Sequence, residues 1–145
     1  MCRQESIECK TIWVVTPDPT TRASAANAHK IVEGKLKQKV EYTFIIPASK
    51  ENAFSRFLSS YFSDYHDQIS ITSIDDKEYD TLAATTYVLI DTFSKNEKVY
   101  FEIPVKPSDN WIEVEDFAAH KFALRFQEYA KKAHKLNCWL TCWKL

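Results

Sequence analysis

Glycine is almost missing from this chain: of 145 residues, one, Gly34, is glycine. That excludes several site architectures at once. A phosphate-cradling loop, a dinucleotide fingerprint and a nucleophile elbow all need glycines at fixed offsets, where the backbone turns through positive φ or approaches a ligand closely. Cysteine is missing from the body of the chain, since Cys2, Cys9, Cys138 and Cys142 all sit in the two tails. Cys138 and Cys142 are one helical turn apart, wider than the paired spacing of a zinc site, so free thiols are expected, with no metal and no cofactor.

Long apolar runs and an excess of either charge are also lacking. No stretch approaches the roughly 18 residues needed to span a bilayer. The opening segment Met1–Lys10 is too polar for a signal peptide, so a cytoplasmic location without a membrane partner is expected. Nineteen basic and 20 acidic side chains leave a net charge of −1, a balance that favours neither nucleic acid nor an anionic membrane.

What is present in quantity is aromatic and aliphatic surface: 14% of residues are aromatic and 45% hydrophobic, enough for one domain with a core built on large rings. Residues 1–145 read as a single α/β domain, with a core over about 11–135 and a tail rich in Trp and Cys at 136–145. The clearest pattern is a doubled unit. The apolar run Ile12-Trp13-Val14-Val15 ends at Thr16-Pro17-Asp18-Pro19 and leads into a helical stretch from about Arg22 to Gln38. A second run, Tyr42–Ile46, ends at Pro47-Ala48-Ser49 and leads into a helix from about Lys50 to Tyr65, with Ser49 as its N-cap and Phe54, Phe57, Leu58, Tyr61 and Phe62 as its apolar stripe. Such units build layered α/β domains with parallel strands.

Ile69–Ile74 alternates as a third strand closed by a turn at Asp75-Asp76-Lys77, and Ala84–Phe93 with Lys98–Val105 reads as a hairpin about Ser94–Glu97. A last helix is expected from near Glu113–Asp116 to Lys135, buried through Phe122, Phe126, Tyr129 and Ala133. The expected fold is therefore a mixed sheet of about five strands in β-α-β-α-β-β-β-α order, flanked by three helices. In the tail, Trp139, Leu140 and Trp143 are costly to leave in water and are expected to dock on the domain or to join an interface.

This element order, with Asp91 near the end of the fourth strand, resembles one half of a phospholipase D-like domain. The resemblance covers roughly Ile12–Lys132. In that family an H-x-K-x4-D motif supplies a histidine nucleophile and a lysine that holds phosphate oxygens. Here the spacing puts Ala84 and Thr86 where those two belong, and no H-x-K occurs anywhere in the chain. Alanine cannot attack and threonine cannot supply a cation. The resemblance thus implies a pseudo-enzyme: a non-catalytic ligand-sensing or protein-interaction domain of a regulator, self-associating, with no catalytic residues. A phosphodiesterase or nuclease with an altered site is the alternative, and nucleic-acid binding a further, weaker one.

The candidate ligand site follows from the doubled unit. Thr16, Asp18, Thr20 and Arg22 after the first strand, and Ser49 and Lys50 after the second, form two polar corners at strand C-terminal ends beside helix N-termini. With Asp91 they make a set suited to a small anionic or nucleotide-like ligand. The same residues serve ordinary turn and capping chemistry. Carboxylates from Asp64 to Asp80 read as a solvated loop, since the glycine and spacing of a calcium loop are absent. Nucleic-acid binding would have to use the lysine-bearing faces, Lys30, Lys35, Lys37 and Lys39 on the first helix and Lys131, Lys132 and Lys135 on the last. Nearby acids dilute both faces, so nucleic acid is not expected as a partner through this domain alone.

Overall fold

The computed structural model describes residues 9–24, 26–83, 85–103, 110–132 and 134–136. Seven strands form one mixed sheet: β1 (Thr11–Val15), β2 (Glu41–Pro47), β3 (Ile69–Ile74), β4 (Tyr87–Ile90), β5 (Lys98–Ile103), β6 (Asn110–Glu113) and β7 (His134–Leu136), in the spatial order β6-β5-β4-β1-β2-β3-β7. β1, β2 and β3 are parallel neighbours, and every other pairing is antiparallel. Five α-helices connect them: α1 (Pro19–Ser24), α2 (Ala26–Lys37), α3 (Glu51–Tyr61), α4 (Asp76–Leu82) and α5 (Asp116–Lys132).

Because side chains alternate across a strand, each run of the doubled unit feeds two layers. Ile12, Val14, Tyr42, Phe44, Ile69 and Ile71 point to one face, where Val32 and Leu36 of α2 and Phe54 and Leu58 of α3 complete a core. Val15, Ile45, Ile74, Leu89 and Val99 point to the other, against Tyr79 and Leu82 of α4 and Ala119, Ala123 and Phe126 of α5. This three-layer arrangement is the mixed α/β sheet read from the sequence, with two strands and two helices more than expected.

The differences have local causes. Helix begins at Pro19 instead of Arg22, since proline's fixed φ suits a first helical turn. The segment read as a closing turn after β3 is α4: Asp75 caps it by accepting the Lys77 N–H at 3.0 Å, and Tyr79 and Leu82 bury its inner face. Ser49 is not an N-cap. It lies within a 3-10 turn, Ala48–Lys50, that runs into α3 without a side-chain cap. The fourth strand is only Tyr87–Ile90, because Asp91 and Phe93 take left-handed φ values of 46° and 63° and start the turn early. α5 ends at Lys132, and His134–Leu136 pairs with β3 as an edge strand. Phe54, Leu58 and Phe62 are fully buried as the α3 stripe requires, whereas Tyr61 is exposed. Ala84, Ala133, Cys2 and the Trp- and Cys-bearing part of the tail from 137 lie outside the described residues.

The lone glycine does no conformational work. Gly34 sits inside α2 without positive φ, and a Cβ there would meet nothing within 4 Å. Gly34→Ala should therefore raise stability by about 0.5–1 kcal/mol by removing backbone entropy from the unfolded chain. The check is a higher urea midpoint at unchanged denaturant slope.

Candidate functional site

The two corners expected at the strand ends do lie side by side, because β1 and β2 are parallel and adjacent. Both are tied into the protein. Thr16 is fully buried; its Oγ1 lies 3.1 Å from Oγ1 of the buried Thr86 and also accepts the Asp18 N–H at 3.3 Å. Asp18 is exposed and Thr20 half-buried, while the side chain of Arg22 is not among those described.

At the second corner the Ser49 N–H donates to Asp76 Oδ1 at 3.0 Å. A carboxylate of α4 thus occupies the anion-binding end of the helical segment that starts at Ala48. Bonds from the Ser49 side chain and backbone, with Lys50 adding attraction, hold the Asp76 carboxyl below its usual 3.8. The sign follows from the depressed pKa: this contribution to stability is present above about pH 3.8 and is lost as the pH falls through the lower, folded-state value.

Asp91 stands at the other end of the sheet. Its Oδ1 accepts the N–H groups of Lys10 at 2.7 Å and Thr11 at 3.0 Å, and its own N–H donates to the Thr11 carbonyl. It clamps the start of β1 to the β4–β5 turn. The structure therefore brings together Thr16, Asp18, Thr20, Ser49 and Lys50 and separates Asp91 from them by the length of a strand.

Around that clamp is a rim of lysines. Glu41 N donates to the Lys10 carbonyl, placing the start of β2 beside Lys10. Just before it, Lys39 adopts φ 67° as α2 ends in a Schellman motif, with Lys39 N bonded to Leu36 O and Val40 N to Lys35 O. Lys95 lies in the β4–β5 turn. Lys10, Lys37, Lys39 and Lys95 are all exposed, whereas Lys35 is buried. Of the nearby acids, Asp91 is engaged by backbone N–H groups and Glu97 by the Phe93 N–H at 2.7 Å and by His120 Nδ1 at 3.2 Å, while Glu41 at the start of β2 is exposed. Glu33 pairs with Lys37 at 3.3 Å. The basic stretch stops before β3, whose lead-in turn carries the exposed Asp64 and Asp67.

A third feature escaped the sequence reading. On the face covered by α5, a cleft of about 230 Å³ opens beneath the second half of that helix. Its floor is Trp13, Thr43, Ile45, Ser70 and Thr72, and its roof Gln127, Ala130 and Lys131. Register makes the floor: Trp13 pairs with Thr43, Thr43 with Ser70, and Ile45 with Thr72. Phe93 packs edge-on against Trp13 at 5.9 Å between ring centroids and against His120 at 5.8 Å. The trace available in the sequence was the hydroxyl residues Thr43, Ser70 and Thr72, interleaved with apolar ones in strands that a parallel sheet should bury on both faces.

Among the described residues, no group of three His, Cys, Asp or Glu side chains is placed to hold a metal ion. No helix among them is long and apolar enough to cross a membrane.

No protein-family model matches the chain, and no curated protein does. Solved structures do. TrmBL2, described as an archaeal chromatin protein that shows a novel mode of DNA binding, superposes with a TM-score of 0.54 at 14% sequence identity. The match covers 92% of this chain and 48% of that one, so the chain spans about half the length of the protein it resembles. At this identity the likeness concerns the fold. It overturns the resemblance to a phospholipase D-like half, and with it the pseudo-enzyme reading. The position matched to that family's aspartate has a structural task here, with both its bonds spent on backbone N–H groups.

Proposed function

We propose that this chain is a DNA-associated domain that holds the duplex by its phosphate backbone. What carries the reading is the fold it shares, along nearly its whole length, with half of a DNA-binding chromatin protein. The expectation that nucleic acid is no partner rested on net charge and on acids that dilute each helix's lysine face in sequence, which leaves out lysines that the fold gathers from different elements. The lysine rim supplies a local surface. At about 4.8 Å per strand, the rim across β4, β1 and β2 spans about 10 Å, close to three base-pair rises of about 3.4 Å. Lys10, Lys37, Lys39 and Lys95 sit on turns and at a helix end, where long side chains reach outward. Nothing in this rim offers a helix or strand for groove reading, so binding is by charge and independent of sequence.

Fluorescence anisotropy with short labelled duplexes tests this. Binding is expected with Kd of about 10⁻⁴–10⁻⁶ M at physiological salt, equal for unrelated sequences. Absence of binding even at low salt would dispose of the reading.

A further inference from the structure

The cleft under α5 is built unlike the rest of the core. Strands β1, β2 and β3 are covered on both faces, and such strands ordinarily present apolar side chains to both layers. On the α2–α3 face they do so, with Ile12, Tyr42, Phe44 and Ile71. On the α5 face, at the end where the parallel strands begin, Thr43, Ser70 and Thr72 replace them. Thr72 is buried, Thr43, Ser70 and Gln127 are half-buried, and Lys131 reaches the surface at the mouth of the cleft. Among the described residues, Thr43, Ser70, Thr72, Gln127 and Lys131 make no hydrogen bond or ion pair through their side chains. Thr72 is only 2% exposed. Three hydroxyls, an amide and an ammonium thus converge on one space without satisfying one another.

We infer that this cleft binds a small, flat carboxylate, with its ring against Trp13, its carboxylate on Lys131, and its remaining polar atoms on the hydroxyls of β2 and β3. The lining selects this chemistry. The half-buried Trp13 indole, braced by Phe93, offers a flat apolar wall. Among the described residues, Lys131 is the one charged side chain of the lining, which matches a monoanion; a phosphate dianion would call for more cations or a set of backbone N–H donors. At about 230 Å³ the cleft is smaller than the roughly 300–1,000 Å³ of drug-sized sites, which limits the ligand to about a single ring. The cleft shares no residue with the lysine rim, so it stands or falls independently of DNA binding.

The test is isothermal titration of the protein with sodium benzoate, phenylacetate and nicotinate, and with benzamide as the neutral counterpart of benzoate. At least one carboxylate should bind one-to-one with saturation in or below the millimolar range. Benzamide should bind at least about tenfold more weakly than benzoate, and Lys131→Met should weaken the carboxylate by a similar factor. Lys131 is exposed, so this variant leaves the core untouched. Thr72→Val, nearly isosteric, should weaken binding about threefold or more with an unchanged far-ultraviolet circular dichroism spectrum. No saturable binding by any of the three carboxylates overturns the inference. So does equal binding by wild type, Lys131→Met and Thr72→Val, which would place the ligand elsewhere.

Discussion

Phe54→Ala is expected to cost about 3–5 kcal/mol, measured as the shift in urea unfolding free energy. Phe54 is fully buried where α3 meets the sheet. Its ring meets Phe44 of β2 edge-on at 4.8 Å, and Phe44 stacks on Tyr42 at 5.7 Å. On its other side Phe57 stacks at 6.2 Å. Truncation therefore removes apolar burial and also the aromatic contacts that seat α3, and close packing leaves neighbours little room to fill the void. Against a typical domain stability of about 5–15 kcal/mol this is a large share. Tyr61→Ala, at the exposed end of the same helix, should cost less than about 1 kcal/mol. Similar costs at the two positions would mean that α3 does not face the sheet as described.

The second large effect concerns Thr16 and Thr86. Their hydroxyls lie 3.1 Å apart and both residues are buried. Thr16→Val strands the Thr86 hydroxyl away from water and removes the acceptor of the Asp18 N–H, at an expected cost of about 1–3 kcal/mol; Thr86→Val leaves Thr16 its bond from Asp18 and should cost less. The double variant should be less destabilised than the sum of the singles by about 0.5–3 kcal/mol, because neither hydroxyl is left facing an apolar partner; the lost acceptor of the Asp18 N–H is common to Thr16→Val and the double variant and cancels in the comparison. Calorimetric unfolding of the four proteins measures this coupling. Additive singles would mean that the hydroxyls do not bond to each other. Strong coupling assigns Thr16 to the fold.

The doubled strand-turn-helix unit was legible because its signals are local. Ile12–Val15 and Tyr42–Ile46 are short apolar runs closed by prolines, and Phe54, Leu58 and Phe62 repeat at helical spacing. α4 was not legible: over seven residues the pair Tyr79 and Leu82 is too short a pattern to outweigh the turn-forming Asp75-Asp76. β6 and β7 are short strands fixed by pairing with distant partners, Tyr100 with Glu113 and Ser73 with His134. The same reason hid the cleft, since the row Trp13, Thr43 and Ser70 exists only once three strands are in register. Asp91 misled in the opposite way. A carboxylate at a strand end looks the same in sequence whether it faces a ligand or caps backbone N–H groups, and here it caps Lys10 and Thr11. The lysines of α2 were grouped by sequence proximity, but the fold buries Lys35 and brings the end of α2, the start of β1 and the β4–β5 turn to one end of the sheet, through the Glu41–Lys10 and Asp91–Thr11 backbone bonds.

DNA affinity as a function of salt tests the proposed function most directly, because each neutralised phosphate releases counterions. With four rim lysines engaged, log Kobs against log salt should fall with a slope of about −3.6. The variant with Lys10, Lys37, Lys39 and Lys95 all changed to alanine should bind far more weakly, with a slope near zero. A wild-type slope near zero, or a quadruple variant that binds DNA as tightly and as steeply as the wild type, would contradict the account.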